Sequence, residues 1–295
     1  MGSVGEALRE GERALEATST SARLDAELLL CHALSLGRTQ LLSRLRDDCP
    51  ADPFYAYQAL VNRRRAGEPV AYIVGEREFF GRRFLVTPSV LIPRPESELL
   101  VEEALRVVAG KTRVSFLDLG TGSGCLAVTL ALELARRGVA AQGVAVDISA
   151  DALVVAQSNA QALGAAERIS FVETSWLSQP ERLSPPFDII VANPPYVDPS
   201  EPSPPELAFE PQGALYSDGQ GLHDAREILR TAPELLAHQG TLLLEVGAKK
   251  RQQLSGCPEV VALGARVRLF GDDSPHDRFT VVAVAAADEA SAVPE

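Results

Sequence analysis

The sequence predicts an α/β protein in which a parallel sheet with crossover helices follows an amino-terminal helical bundle. The first observation is that, from residue 113 onward, short apolar runs alternate with helical patterns, as they do in parallel sheets. The second is that the region of residues 1–75 shows helical spacing, with no strand pattern before residue 70. With 295 residues, the chain is long enough for one large domain and one small one.

Helical patterns cover most of the amino-terminal region. Apolar residues lie on one helix face over residues 4–15, and residues 24–36 form a second, strongly apolar helix. The pattern continues at residues 41–45, and a further helix covers residues 54–61, with Pro53 in its first turn. Because no strand pattern intervenes, these segments predict a small helical bundle.

A linker with strand patterns broken by glycines comes next. Residues 70–75 and 78–86 are predicted to be short strands, and we expect a β-hairpin here. An extended segment with two prolines then leads into a helix over residues 99–108. Ser97 or Glu96 could cap the first turn of that helix.

The remaining elements follow from alternating strand and helix patterns. Strands are predicted at residues 114–119, 143–146, 169–172, 187–192, 241–246, 266–270 and 279–284, and helices at residues 125–135, 152–163, 225–236 and 249–254. The last two strands have no helical pattern between them, which predicts an antiparallel hairpin at one sheet edge. The small, acidic residues 286–295 are expected to form a flexible tail.

Composition narrows the class of function. The net charge of −12 and the pI near 4.9 argue against a general nucleic-acid binder, which would normally present a basic face. The four cysteines are scattered without metal-ligand or redox spacing, so we expect reduced thiols in a cytoplasmic protein and no metal site. The amino terminus lacks a signal peptide's apolar core, and no apolar run has the length of a membrane span.

A glycine-rich turn joins the first strand of the α/β region to its first helix. It consists of Gly120, Thr121, Gly122, Ser123 and Gly124. Glycines allow a tight turn and let a ligand lie against the main chain, and the strand–turn–helix context makes the motif informative. The spacing differs from the dinucleotide pattern, which seats a pyrophosphate on the helix N-terminus. It better suits a nucleoside that carries an amino-acid tail.

Two further residues complete this predicted cofactor site. Asp147 ends the second strand, roughly 20 residues past the last glycine, where an acid can bind both ribose hydroxyls; the alternative is an ordinary helix cap. Trp176 follows the third strand and could either stack on an adenine ring or simply pack in the core. Together these features imply S-adenosylmethionine, with the glycine loop and Asp118 near its methionine end.

A stiff corner follows the strand at residues 187–192 and consists of Asn193, Pro194, Pro195 and Tyr196. The prolines stop the strand, because neither donates a ladder hydrogen bond, and the corner stands at the sheet edge where α/β folds bind ligands. It could be a simple proline-rich turn. If the Asn193 oxygen and the Pro194 carbonyl each accept one N–H, however, an amide nitrogen is held with its lone pair facing a methyl donor. Tyr196 would pack against the planar acceptor, so we predict Asn193, Pro194 and Tyr196 as catalytic.

Several motifs together resemble the HemK/PrmC family of protein-(glutamine-N5) methyltransferases. They lie at residues 68–75, 78–81, 91–98, 120–124, 193–196, 209–211, 214–215, 219–222 and 244–247. The resemblance implies a seven-stranded class I S-adenosylmethionine-dependent methyltransferase (Rossmann-like) sheet, and an acceptor glutamine in the Gly-Gly-Gln motif of peptide chain release factors. It also implies that residues 120–124, Asp147, Trp176 and Asn193 contact the cofactor and that residues 193–196 contact the substrate. Ser97 and Ser175 depart from the family, which usually has threonine and aspartate at these positions.

The pattern and the resemblance together give a predicted domain organisation. Residues 1–75 would form a helical substrate-recognition domain, 76–92 a hairpin linker, 93–285 the methyltransferase domain and 286–295 the tail. We expect a monomer that binds release factors, with no direct contact to nucleic acid or membrane.

Two other functions remain open at this stage. An N6-adenine or other nucleic-acid amino methyltransferase would use a similar corner, but it would need an electropositive surface and usually a target-recognition domain. A non-catalytic S-adenosylmethionine-binding module is the other, and the acceptor corner argues against it.

Overall fold

The described part of the chain, residues 2–271 and 279–286 of a computed structural model, contains a seven-stranded sheet and a two-stranded sheet. Contacts between residues divide the chain into two compact units, one of Met1–Glu76 with Pro204–Phe209 and the other of Arg77–Ser203 with Glu210–Glu295. Within the described ranges, no helix has the length and apolar character needed to span a membrane.

Helices make up most of the first unit. In chain order they are α1 (Val4–Leu15), α2 (Ala22–Leu34), α3 (Arg38–Ser43), α4 (Ala51–Arg65) and α5 (Val70–Val74). Ser3 and Glu6 form a capping box at the start of α1, each side chain accepting from the other's backbone amide. The helices share one core, in which Leu8, Leu29 and Tyr57 are almost fully buried. The predicted helical bundle is therefore confirmed.

A buried arginine links residues 204–209 to the helices of this unit. Arg64 Nε lies 2.7 Å from Asp25 Oδ2, and its Nη2 lies 2.5 Å from Glu206 Oε1. The Arg64 and Asp25 side chains are nearly inaccessible to water. Because breaking a buried ion pair leaves an uncompensated charge, this pair fixes α2 and α4 in one arrangement.

The predicted strand over residues 70–75 is wrong, because this segment is the helix α5. Pro69 stands at its N-cap, and Gly75 ends it with a φ of 83°. Ile73 is buried in the core of the bundle. Burial on the bundle therefore outweighs the strand propensity of the β-branched residues in the segment.

The hairpin begins directly after α5 and is shorter than predicted. Its strands are β1 (Glu76–Phe79) and β2 (Arg82–Leu85). Phe80 and Gly81 form the connection with φ values of 52° and 71°. Two positive φ values are typical of the two-residue turn that matches the twist of paired strands.

The second unit holds the large sheet and its helices. Its elements are α6 (Glu98–Val107), β3 (Arg113–Leu119), α7 (Cys125–Arg136), β4 (Ala140–Asp147), α8 (Ala150–Leu163), β5 (Ile169–Glu173), β6 (Phe187–Ala192), α9 (Asp218–Gly221), α10 (His223–Thr231), β7 (Leu236–Gly247), α11 (Arg251–Ser255), α12 (Pro258–Leu263), β8 (Val267–Gly271) and β9 (Phe279–Ala285). The strand order is β5-β4-β3-β6-β7-β9-β8. All pairs are parallel except those of β9 with β7 and β8. The predicted α/β fold, with an antiparallel hairpin at one edge, is confirmed.

Three details differ from the predicted elements or lie outside the described residues. The predicted helix over residues 225–236 ends at Thr231, because Pro233 lacks the amide hydrogen that a continuing helix needs, and β7 already begins at Leu236. The short helix α12 was not predicted. The predicted tail, residues 286–295, lies outside the described residues apart from Ala286.

Candidate active site

The glycine loop and the proline corner leave the same edge of the sheet from neighbouring strands. β3 and β6 pair in parallel, and the register places Leu119 opposite Ala192. Gly120 therefore follows β3 at the level where Asn193 follows β6. Because neighbouring strands lie about 4.8 Å apart, the structure brings the two predicted motifs side by side, at the edge where α/β folds bind ligands.

Backbone conformation requires glycine at three positions of the loop. Gly120, Gly122 and Gly124 have φ values of 71°, 54° and 80°, which belong to the left-handed region. A Cβ on Gly124 would lie 3.1 Å from Ala156, so the loop packs closely against α8. A Cβ on Gly122 would meet nothing within 4 Å, so the main chain there faces open space. The loop is thus a fixed cradle with one open face.

Asp118 lies beneath this cradle and is fully buried. Its Oδ2 accepts hydrogen bonds from Thr121 Oγ1 at 2.7 Å and from the Ala127 amide at 3.1 Å. Its Oδ1 has no hydrogen-bond partner among the described residues. Burial raises the pKa of Asp118 to about 7, while the two hydrogen bonds act in the opposite direction. The side chain therefore ties the loop to the start of α7 and keeps one acceptor atom free.

Asp147 ends β4 beside the loop. Its Oδ2 accepts from the Gly122 amide at 2.8 Å, and its Oδ1 accepts from the Ser149 amide at 2.9 Å. Burial raises the pKa of Asp147, and the two hydrogen bonds act in the opposite direction. The next residue, Ile148, is apolar yet 72% exposed. A carboxylate with unused lone pairs beside an exposed apolar side chain is suited to a ribose next to an adenine ring.

Asn159 on α8 joins the loop to the hairpin. Its Nδ2 donates to the Ser123 carbonyl at 2.8 Å and to the Leu85 carbonyl at 3.0 Å, and its Oδ1 accepts from the Leu85 amide at 2.7 Å. The side chain is 2% exposed, so these bonds form away from water. Sequence reasoning missed Asn159, because its partners are brought together only by the tertiary fold.

Asn159→Ala is expected to lower the free energy of unfolding by about 1–3 kcal/mol, because the buried Ser123 carbonyl and the partly buried main chain of Leu85 lose their partner. Urea unfolding followed by circular dichroism measures this change. The matched control is Ser158→Ala on the exposed side of the same helix, where the hydroxyl bonds only to the Val154 carbonyl. That control should change stability by less than about 0.5 kcal/mol. Equal stabilities for both variants would contradict the conclusion that the Asn159 side chain holds the loop and the hairpin together.

The Asn193 side chain is oriented by one hydrogen bond. Its Nδ2 donates to Ser97 Oγ at 2.9 Å, and Ser97 is 2% exposed. With the nitrogen engaged in this way, Oδ1 is the atom of this amide that remains to accept a hydrogen bond. The predicted capping role of Ser97 is wrong, because its side chain makes no cap bond to α6.

Two glycines make room for Tyr196. A Cβ on Gly247 would lie 3.2 Å from the tyrosine ring, and a Cβ on Gly221 would lie 2.3 Å from the Tyr196 carbonyl oxygen. Burial raises the pKa of the Tyr196 hydroxyl. Directly after the corner, the Val197 amide donates to the Leu215 carbonyl at 2.9 Å, and this bond holds the chain that follows Tyr196. Gly247 therefore makes room for the ring of Tyr196, and Gly221 makes room for its main chain.

Glu210 fixes the segment that leads to Ser97. Its Oε2 accepts from the Ile92 amide at 3.0 Å, and its Oε1 pairs with Arg94 Nη2 at 2.6 Å. Glu210 is 4% exposed, so the pair is largely shielded from solvent. The motifs at residues 91–98 and 209–211 thus act as one structural unit.

Trp176 lies against the glycine loop. A Cβ on Gly120 would come within 3.1 Å of its ring, and its Nε1 donates to Asp224 Oδ1 at 2.9 Å. It also packs on the apolar cluster that contains Leu119 and Val146. The structure therefore shows a packing role for Trp176, and its contact with an adenine ring stays a prediction.

Comparison with known proteins gives matches over nearly the whole chain. The family model of the PrmC N-terminal domain matches residues 6–75, and that of a methyltransferase domain matches residues 111–264. The chain is 42% identical to the release factor glutamine methyltransferase of Cereibacter sphaeroides over 267 residues, which cover 89% of this chain and 91% of that protein. It is 44% identical to the protein of the same name from Nitratidesulfovibrio vulgaris over 248 residues, 81% of each chain.

One solved structure is similar to this chain in its fold only. The catalytic domain of hMettl16, in complex with the MAT2A 3′UTR hairpin 6, superposes with a TM-score of 0.55 at 17% identity, over 71% of this chain and 77% of that one.

Proposed function

Since this chain belongs to the release factor glutamine methyltransferase family, we propose that it methylates the side-chain amide nitrogen (N5) of the glutamine in the Gly-Gly-Gln motif of peptide chain release factors, with S-adenosylmethionine as the methyl donor. The observation that carries this proposal is the position of residues 193–196 beside the glycine loop, on adjacent parallel strands. A methyltransferase needs this arrangement, because donor and acceptor must meet in line.

The residues at the glycine loop fit this cofactor. The open face at Gly122 can accept a ligand against the main chain, and Asp147 has lone pairs left for ribose hydroxyls. Ile148 offers an apolar surface for the adenine ring, and Asp118 keeps a free acceptor beneath the loop. When bound, S-adenosylmethionine supplies a methyl group on a positively charged sulfur. We propose that main-chain atoms of residues 120–124 contact the bound cofactor.

The corner residues would orient the acceptor amide. An amide nitrogen is a weak nucleophile, because its lone pair is delocalised into the carbonyl. Asn193 Oδ1 and the Pro194 carbonyl each accept one N–H, which aims the lone pair at the methyl group and stabilises the positive charge that develops on the nitrogen. Tyr196 packs against the planar amide. The methylated nitrogen is strongly acidic and releases its proton to water, so no general base is needed.

The rest of the predicted organisation is proposed on the same premise. Residues 1–75 would recognise the release factor, and residues 76–92 would link them to a methyltransferase domain at residues 93–285. We propose that the enzyme acts as a cytoplasmic monomer without contacting nucleic acid directly, in keeping with its net charge of −12.

Methyl-labelled S-adenosylmethionine tests the proposal directly. The purified protein is incubated with a release factor or with DNA, and the label is located by peptide mass. We expect label on the glutamine of the Gly-Gly-Gln motif and none on a release factor in which alanine replaces that glutamine. Label on DNA, or none on that peptide, would reject the proposed acceptor in favour of a nucleic-acid amine.

A further inference from the structure

Glu245 is a buried acid beside the corner that takes no part in the methyl transfer described above. β6 and β7 pair in parallel, and the register places Ala192 opposite Leu244. Asn193 and Glu245 each stand one position beyond this pair. Because successive side chains alternate between the faces of a sheet, residues at matching positions on paired strands project to the same side. Asn193 is the first residue after β6, and its side chain also acts on the Glu245 carboxyl, so the two residues are neighbours.

The Glu245 carboxyl is shielded from water, and no cation of the described residues forms an ion pair with it. It is 1% exposed, and neither oxygen has a hydrogen-bond partner among the described residues. The charged or titratable groups that face it are Arg94 and Glu96 from the segment before α6, Tyr196 after β6, and Cys125 at the start of α7. Arg94 pairs with Glu210. Since an unpaired buried carboxyl lowers stability, a functional role explains its presence better than a structural one.

Ser97 and Asn193 are the two side chains that act on this carboxyl as hydrogen-bond donors. Burial raises the pKa of Glu245 to about 7, while the Ser97 side chain, and less strongly the Asn193 side chain, favour the ionised form. Ser97 Oγ already accepts from Asn193 Nδ2. A hydroxyl has one hydrogen to donate besides the lone pairs that accept, so the Ser97 hydrogen is free for Glu245. A polar chain thus runs from Asn193 through Ser97 to Glu245.

We propose that Glu245 and Ser97 are positioning residues that fix the orientation of the Asn193 side-chain amide. An ionised carboxyl only accepts hydrogen bonds, so it attracts the amide nitrogen of Asn193 and repels the amide oxygen. Oδ1 is then held toward the acceptor, where an N–H must be bound. This role rests on the proposed function, because only an acceptor that presents N–H groups needs Oδ1 in that direction.

The ionised form of Glu245 is the one that sets this orientation. A protonated carboxyl can also donate, and it would then stabilise the rotated amide with Oδ1 turned inward. The rate should therefore rise with pH through about 7, as Glu245 loses its proton, and level off above. Asp118 also has a pKa raised to about 7, so substitution is needed to assign the pH dependence.

Glu245→Gln is the decisive variant, because it keeps the side-chain shape but introduces a donating NH₂ group. We expect kcat at pH 8 to fall about 100-fold, with an unchanged KM for S-adenosylmethionine. The dependence on pH near 7 should disappear. Ser97→Ala should lower kcat in the same way, whereas Ser97→Thr retains the hydroxyl and should keep activity near that of the wild type.

Thermal unfolding separates positioning from a structural role. Because no cation forms an ion pair with the buried Glu245 carboxyl among the described residues, Glu245→Gln should have a Tm equal to or above that of the wild type at pH 8. The matched control is Glu133→Gln, the same change at a buried acid that pairs with Arg82 and Arg136. This control should lower Tm and leave kcat unchanged.

Three results would each overturn the proposed positioning role: an unchanged kcat for Glu245→Gln, a pH dependence near 7 that survives the substitution, or a loss of kcat that merely accompanies a lower Tm. All variants are assayed with whichever acceptor the wild-type enzyme labels. If that acceptor is a base and not a glutamine, the proposed function fails. The ratio of variant to wild-type kcat on the base still decides whether Glu245 positions Asn193.

Discussion

Asn193→Ala is expected to lower kcat for methyl transfer by about 100- to 1,000-fold, with a much smaller effect on cofactor binding. The substitution removes the acceptor atom Oδ1, so the amide nitrogen of the substrate is held by the Pro194 carbonyl alone and loses its alignment. Removing one preorganised hydrogen-bonding group from a reaction site typically costs about this much. The main chain of the corner should persist, because the two prolines restrict it independently of the side chain.

Two measurements locate the defect of Asn193→Ala. Single-turnover labelling of the release factor gives the rate of the chemical step, and isothermal titration calorimetry gives the affinity for S-adenosylmethionine. A slow chemical step with wild-type affinity would assign Asn193 to the acceptor side. Full activity of this variant would eliminate the amide-clamping mechanism.

Asp147→Ala is expected to weaken S-adenosylmethionine binding by about 100-fold, or about 2.7 kcal/mol. A carboxylate that accepts from two ribose hydroxyls contributes about 1.5–3 kcal/mol for each bond. The expected loss is smaller than the sum of two such bonds, because in the variant water can take the place of the carboxylate as acceptor for the hydroxyls. The substitution also removes the acceptor for the Gly122 amide, which steadies the open face of the loop.

Calorimetric titration of Asp147→Ala is best paired with Asp151→Ala. Asp151 is an exposed acid in the first turn of α8, close in sequence to Asp147. The same loss of charge at Asp151 should change Kd less than about twofold, because surface charges contribute little. If both variants bind like the wild type, Asp147 acts only as a local cap for Ser149.

The sequence predicts those parts of the molecule that depend on local pattern. Alternation of short apolar runs and helical faces was enough to predict the parallel sheet, because strand and helix periodicities differ over a few residues. Residues 120–124 and 193–196 could be identified from the sequence, because glycine widens and proline narrows the range of backbone conformations at any position. The strand order, which only the structure supplies, then brings both motifs to neighbouring positions at one sheet edge.

The parts that were missed or mistaken depend on distant partners. The β-branched segment at residues 70–75 became a helix, because burial on the bundle decided its conformation. Ser97 appeared to be a helix cap, whereas its hydroxyl bonds to an asparagine 96 positions away. Asn159 carries no local signal, and Glu245 could be noted only as part of the motif at residues 244–247, since the roles of both arise from neighbours that only the folded chain supplies.

The register between β3 and β6 has a consequence for how such enzymes diversify. The glycine loop and the proline corner start from the paired positions Leu119 and Ala192, so on the proposed function the distance between donor and acceptor sites is set by the spacing of two hydrogen-bonded strands. Insertions and deletions in surface loops leave that distance unchanged, whereas a one-residue slip in either strand would turn its side chains to the opposite face. We therefore expect that changes in the surrounding loops can alter which acceptor is bound while the distance between the two sites stays the same.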